Sequence, residues 1–257
     1  MSNAAMAKRL FEAQRNRTAI DPLTNETSDL DLDRAYEIQD LLVARLVEDG
    51  ATVVGAKLGL VSRAKQEAMG VPSPLYAWLT HAMQLPLDEP LRLSEYLHPR
   101  AEPEIAFLLA EDLAGPGVNA HDVLDATAGV CAAIEVIDSR YTEFKFTLPD
   151  VVADNASSAA YVLSPRVEAA DFDLALEGCL FEADGKVFGT AAGAAVMGHP
   201  AEAIAWLANE LGERDRVLQG GWTILSGGLT APAPLRAGGS VTATFARLGS
   251  LTLRVIE

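Results

Sequence analysis

Two apolar runs of this chain carry carboxylates where a β-strand would bury them, and that conflict constrains the fold more than any other feature. The first run, IAFLLA, follows directly on Glu102-Pro103-Glu104, and the second, GVCAAIEVI, encloses Glu135. Residues i and i+2 of a strand project on one face, so a strand here sets Glu102 and Glu104 side by side. An ionised carboxylate in an apolar strand is strongly unfavourable unless it is paired or bound to a cation. If the two runs are neighbouring strands, three carboxylates form one all-oxygen site, a donor set that suits Mg²⁺ or Mn²⁺ rather than zinc or copper. The plainer alternative makes Glu102 and Glu104 solvated strand-start residues beside Arg100, and Glu135 a salt-bridged core residue.

The rest of the chain can supply such a core. It has 257 residues, 49% of them hydrophobic, enough for one large or two small domains. Its 36 acidic and 20 basic side chains leave a formal charge of −16, the wrong sign for nucleic acid or an anionic membrane, so neither is expected as a partner. Cys131 and Cys179 each sit in an apolar, strand-like run, which excludes a disulfide framework or a Cys-rich zinc site. No stretch approaches the ~20 apolar residues of a membrane span, and MSNAAMAKRLFEAQRN lacks the apolar segment of a secretory signal. A cytoplasmic protein is expected. Residues Ser2 to Ala5 could be a tag remnant ahead of Met6 and carry no weight.

Hydrophobic spacing predicts a helix from Asp33 to Glu48, between the cap candidates Asp31 and Asp33 and a stop at Gly50. VVGAKLGL reads as strand pieces, Ser62 to Met69 as a two-turn helix closed by Gly70, and VPSPLYAWL as a Pro-punctuated loop. Residues 1–90 are thus expected to form an N-terminal helical and strand cap region, and 91–257 a β-rich metal-binding catalytic core, within one continuous domain. The two carboxylate-bearing runs are linked by AGPGVNAHDVLDAT, where Asn119 can cap a short helix. CLFEADGKVFGT is a hairpin turning at Asp184-Gly185. His199 to Glu213 reads as a helix with Pro200 in its first turn, and strand runs alternate with turns from Trp222 onward. The fold class is α+β, with a large, mostly antiparallel sheet core.

Other residues pose narrower questions. Lys57, inside VVGAKLGL, is either a snorkelling strand lysine or a buried cation that holds its charge against a substrate carboxylate. Arg140, in Asp138-Ser139-Arg140, either clamps a carboxylate or pairs with Asp138. VVADNASS gathers Asp154, Asn155, Ser157 and Ser158 into a polar block that could cap a helix or bind a ligand. GTAAGAAVMGHP lacks the spacing of a phosphate loop. His199 suits a cap, and His81, His98 and His121 form no metal spacing. No GxSxG occurs, which leaves a serine hydrolase unsupported.

KLGLVSRAKQEAMGV, HPRAEPEIAFLL, EVIDSRYTEFKFTLPDVVADNASS, GAAVMGHP and LSGGLTAPAPLRAGGSVTATFARLGSLTLRV together resemble the fumarylacetoacetate hydrolase superfamily. Within it they are similar to the branch of 2-keto-4-pentenoate hydratases and 4-oxalocrotonate decarboxylases, from about Tyr36 to the C-terminus. The resemblance implies a mixed β-roll around a divalent metal, Mg²⁺ or Mn²⁺, held by Glu102, Glu104 and Glu135. It also implies that Lys57 is the active-site lysine, that Ser157 lines the substrate pocket, and that Leu79 stands in the pocket wall.

Within that branch, hydratases carry Pro-Asp-Phe-Gly, whose Asp serves proton transfer during water addition. This chain has Pro74-Leu75-Tyr76-Ala77, so a leucine at the substrate pocket replaces the acid. The decarboxylases likewise carry an aliphatic residue followed by Tyr. The resemblance therefore implies decarboxylation of a 2-oxo-3-enedioate, with hydration of a 2-hydroxy-2,4-dienoate as the alternative. The expected partners are a small 2-oxo acid, further copies of the chain in a homo-oligomer, and a sister hydratase that takes the product.

Overall fold

A computed structural model describes every residue except 64, 65, 68–70, 72 and 166. The helix expected over 62–69, with its stop at Gly70, therefore lies largely outside the described residues.

Two helices open the chain. Asn3–Asn16 (α1) is capped by Ser2 and Leu32–Glu48 (α2) by Asp31, whose carboxylate accepts from Arg34 N–H. Met6, Ala7, Leu10 and Ala13 form the buried stripe of α1, and Ile38 and Leu42 belong to that of α2. The segment expected to carry no structural weight thus begins a helix, because the apolar spacing across Met6 to Ala13 is helical.

The main sheet runs in the order β2-β1-β9-β4-β5-β6. Its strands are Val53–Gly59 (β1), Leu75–Thr80 (β2), Arg100–Leu109 (β4), Thr127–Ile137 (β5), Ser158–Leu163 (β6) and Thr223–Leu225 (β9). The short strand Ala233–Pro234 (β10) pairs off this path with β4. All contacts are antiparallel except β1 with β9, which is parallel. That close approach requires glycine: a Cβ on Gly55 would lie 1.9 Å from Thr223 O.

Leu75–Thr80 corrects the loop expected over VPSPLYAWL. All six of its residues are buried and it pairs along β1, so burial on both faces outweighs the local proline signal. The sheet also crosses the boundary at residue 90, since β1 and β2 lie in the same sheet as β4 and β5.

A second sheet contains Leu91–Arg92 (β3), Gly178–Ala183 (β7), Lys186–Ala192 (β8), Ser240–Phe245 (β11) and Gly249–Ile256 (β12). Its order is β3-β12-β11-β7-β8, and β11 and β12 pack against β5. The β7–β8 hairpin turns at Asp184-Gly185, where both residues have positive φ. Further helices among the described residues are shorter. Ala120–Asp125 (α3) has a capping box between Asn119 and Asp122, Leu148–Ala153 (α4) precedes β6, and Pro200–Gly212 (α5) is capped by His199. No helix among the described residues is long and apolar enough to cross a membrane.

Candidate active site

Strand register gathers the site. Glu102 stands opposite Glu135, and Glu104 opposite Ala133, so the three glutamates project from one face of β4 and β5. Lys57 reaches the same face through β9, because Leu225 is the register partner of both Lys57 and Ala106. Burial is nearly complete: Glu104 is 0% exposed, Glu135 1%, Lys57 3% and Glu102 9%.

The buried charges are only partly satisfied. Lys57 Nζ lies 2.9 Å from Glu135 Oε1 and donates to Ala156 O at 2.9 Å. Glu104 Oε2 accepts from Gly227 N–H at 2.7 Å. Gly227 takes φ +114, a conformation that favours glycine. Among the described residues Glu104 Oε1 is buried with no hydrogen-bond partner, and Glu135 Oε1 makes no hydrogen bond of good geometry to the ammonium beside it. Burial pushes the Glu104 carboxyl well above the usual range, and the charges of Glu135 and Glu102 reinforce it. Glu135 is also raised by burial, with Lys57 pulling against the shift.

This electrostatic state fits a divalent cation. Glu104 and Glu135 are buried beside the Lys57 ammonium, each with a carboxylate oxygen that has no hydrogen-bond partner among the described residues. An all-oxygen set of this kind suits a hard ion such as Mg²⁺ or Mn²⁺. Among the described residues no three His, Cys, Asp or Glu side chains already converge on one point. Instead Glu104 leans to the Gly227 amide and Glu135 to Lys57. Gly228 backs the third carboxylate, since a Cβ there would lie 2.4 Å from Glu102 Oε1.

The polar block 154–157 closes the site from the side. Asn155, Ala156 and Ser157 all have positive φ, between 47 and 59. Asn155 fixes this turn by accepting from Trp78 N–H and donating to Trp78 O, each at 2.9 Å. Asp154 receives the Arg140 guanidinium, and Arg140 also donates to Ser158 O at 2.9 Å. Burial lifts the Asp154 carboxyl to about 6 despite that partner. Arg140 thus neither clamps a ligand nor pairs with the Asp138 carboxylate, which instead caps Leu97 and His98 N–H. The turn presents two groups to the site: Ala156 O, which holds Lys57, and Ser157.

A cavity of about 410 Å³ opens over these residues, and Lys57, Glu102, Ser157 and Leu75 all line it. Leu75 is the register partner of Gly59, two positions along β1 from Lys57. Leu79 is not brought to this cavity. It lies deeper on the same face, packed with Met83, Ala106, Cys131 and Leu225 in an apolar floor. Sequence reasoning missed Phe144 and Phe146, which form the opposite wall, and gave Arg100 no role beyond neighbouring the glutamates. The two phenylalanines carried a signal, alternating through YTEFKF just past β5. The histidines serve the scaffold: His98 Nε2 bonds Ser139 O, His81 Nδ1 accepts from Thr52 N–H, and His199 caps α5. A larger groove, about 750 Å³, is lined by Trp78 and Trp222, but it lies away from the glutamates and its Asp40–Arg216 pair is already satisfied.

Residues 52–256 match the family model described as the fumarylacetoacetate (FAA) hydrolase C-terminal domain. The chain belongs to the fumarylacetoacetate hydrolase family. The mixed α+β architecture expected from the resemblance is therefore the architecture of this family. The 4-oxalocrotonate decarboxylase of Pseudomonas sp. strain CF600 is 40% identical over 253 residues, covering 98% of this chain and 96% of its own. The 2-hydroxypent-2,4-dienoate hydratase of Pseudomonas putida is 42% identical over 205 residues, covering 79% of this chain and 92% of its own. The solved 4-oxalocrotonate decarboxylase from Pseudomonas putida G7, complexed with magnesium and adipate, superposes with a TM-score of 0.96 at 37% identity, covering 99% of this chain and 97% of that one.

Proposed function

We propose that this family member decarboxylates 2-oxo-3-enedioates, converting 2-oxo-3-hexenedioate to 2-hydroxy-2,4-pentadienoate and CO₂ with Mg²⁺ or Mn²⁺ held by Glu102, Glu104 and Glu135. The observation that carries this reading is the composition of the cavity. Among its described lining residues the only acid is Glu102, a residue committed to the cation, and hydrocarbon stands at Leu75. Water addition needs a group that moves a proton to and from carbon, whereas loss of CO₂ needs a sink for electrons and a dry wall. Similarity over nearly the whole chain to enzymes named 4-oxalocrotonate decarboxylase supports the same reading.

Glu102, Glu104 and Glu135 would hold the divalent cation, which would supply Lewis-acid charge to the 2-oxo acid. The far carboxylate is then a vinylogous β-keto acid. Its C5–C6 bond breaks, the electron pair forms C4=C5, the C3=C4 pair shifts to C2=C3, and the 2-oxo oxygen takes the negative charge. Lys57 Nζ meets that charge. Ala156 O accepts one of its N–H groups and the Glu135 carboxylate lies 2.9 Å away as an ion pair, which hold the ammonium in place and leave N–H capacity for the substrate. Ser157 adds a hydroxyl to the polar wall, its Oγ 3.5 Å from Asp154 Oδ2. Leu75, Phe146 and Val151 exclude water around the departing group. That oxygen takes up one proton from solvent, which completes the dienol product. That product is the class of compound for which the hydratase relative is named, which makes a sister hydratase the consumer of the reaction.

The test is an ultraviolet assay with Mg²⁺ and 2-oxo-3-hexenedioate, with CO₂ followed in parallel and 2-hydroxy-2,4-pentadienoate as the competing substrate. CO₂ from the first without hydration of the second is the expected result. Hydration without CO₂ would move the chain to the hydratase reading that its 42% identity to a hydratase also supports.

A further inference from the structure

Arg100 lines the cavity and is half-buried, yet among the described residues no carboxylate or hydrogen-bond acceptor is paired with its guanidinium. Its contact is with a ring: Arg100 Cζ lies 3.9 Å from the centroid of Phe144. Phe144 is braced on another side by His98, with ring centroids 4.7 Å apart. In a chain with 36 acidic and 20 basic side chains, a guanidinium without a carboxylate partner beside the reaction cavity is unexpected as packing. Stacking on an aromatic face orients its plane and leaves the edge N–H groups available to an anion.

Position along the strand says which anion. Arg100 and Glu102 are residues i and i+2 of β4, so they point to the same face and their Cα atoms are separated by roughly 6.5 Å. An extended six-carbon dioate spans a similar distance, since five C–C bonds of about 1.5 Å zigzag to roughly 6 Å. With the 2-oxo acid head at the glutamates, the far carboxylate of such a molecule reaches the level of Arg100.

We infer that Arg100 is the residue that reads the second carboxylate of the substrate, selecting 2-oxo dioic acids over 2-oxo monoacids of equal length. This rests on the substrate class proposed above. Arg100 acts in binding rather than in bond breaking. The carboxylate it holds becomes neutral CO₂, so the attraction weakens as the reaction proceeds and contributes to KM rather than to kcat.

The test uses two saturated probes that cannot lose CO₂ by this route, 2-oxoadipate and 2-oxohexanoate, which differ in the far carboxylate. Their dissociation constants are measured calorimetrically with Mg²⁺ present, on the wild type, Arg100→Met and Arg100→Lys. A charge-assisted contact predicts that the wild type prefers 2-oxoadipate by about tenfold to a hundredfold, that Arg100→Met erases the preference by weakening 2-oxoadipate alone, and that Arg100→Lys keeps part of it. Equal losses for both probes in Arg100→Met, or no preference in the wild type, would overturn the assignment. Melting temperatures of the variants show whether the fold is intact. Failure of the wild type to release CO₂ from 2-oxo-3-hexenedioate would refute the decarboxylase reading, while the probe comparison would still decide the role of Arg100.

Discussion

Lys57 and Glu135 meet at 2.9 Å across β1 and β5 with side chains 4% and 1% exposed, two strands that do not touch in the sheet. The pair spans β9 and β4, so the lysine is aimed by the width of the sheet and not by a local turn. Replacing Lys57 with Met removes the hydrogen-bond donor to the developing oxygen charge and also one positive charge from the metal site. CO₂ release should fall by about two to three orders of magnitude, while Mg²⁺ affinity should hold or rise because the glutamates lose a competing cation. Steady-state kinetics beside a calorimetric Mg²⁺ titration check both, and full turnover in the variant would remove Lys57 from the mechanism.

The two raised carboxylates set a pH dependence. Glu104 and Glu135 titrate above their ordinary 4.5 in the folded, metal-free chain, so the folded state holds protons that the unfolded state has released. The stability this contributes is full below about pH 4.5 and is lost as pH rises through the folded values. Mg²⁺ binds the ionised form, so its stabilising effect must run the other way. Thermal unfolding in EDTA and in Mg²⁺ should show an increment from Mg²⁺ that grows as pH rises above about 4.5; an increment independent of pH would contradict the buried-carboxylate site.

Gly228 offers a test of the site that leaves its charges in place. A Cβ there would meet Glu102 Oε1 at 2.4 Å, and that oxygen ends a flexible side chain that can yield. Gly228→Ala should therefore weaken Mg²⁺ binding by about tenfold, through displacement of one ligand, with little change in the melting temperature measured in EDTA.

The Arg140–Asp154 pair makes a prediction about the scaffold. Arg140 is 1% exposed and Asp154 0%, so Asp154→Asn leaves a guanidinium in the interior without a counter-charge. Chemical denaturation should show a loss of about 3–5 kcal/mol. Residual activity should fall further than stability alone explains, because Asp154 begins the turn that presents Ala156 O and Ser157.

How far the sequence could be read follows from the range of the forces involved. The pairing of Glu102 with Glu135 was readable because both lie in unbroken apolar strands and period-two geometry does the rest. Helix caps at Asp31, Asn119 and His199 were readable because capping is local. Strand Leu75–Thr80 was not, because prolines nearby signal a loop and the opposing force, burial between β1 and the helices, is tertiary. The partner of Arg140 escaped for the same reason. Asp138 is nearer in sequence, but Asp154 is the carboxylate that the fold delivers to it. Arg100 was visible only as a neighbour of the glutamates, since the ring that gives it purpose, Phe144, comes from a different segment.

Strand β9 has a consequence for how this protein can be made. Residues 223–225 lie between β1 and β4, so in the sheet the hairpin carrying Lys57 is joined to the strand carrying Glu102 and Glu104 through a segment far downstream in sequence. Until those residues have been made, the β1 and β4 edges that flank β9 lack that partner. Pairings so distant in sequence form slowly and expose apolar edges in the interval. A nascent chain halted before residue 223 is thus a candidate for chaperone capture, and the lysine and the carboxylates become one site only once residues 223–225 have joined the sheet.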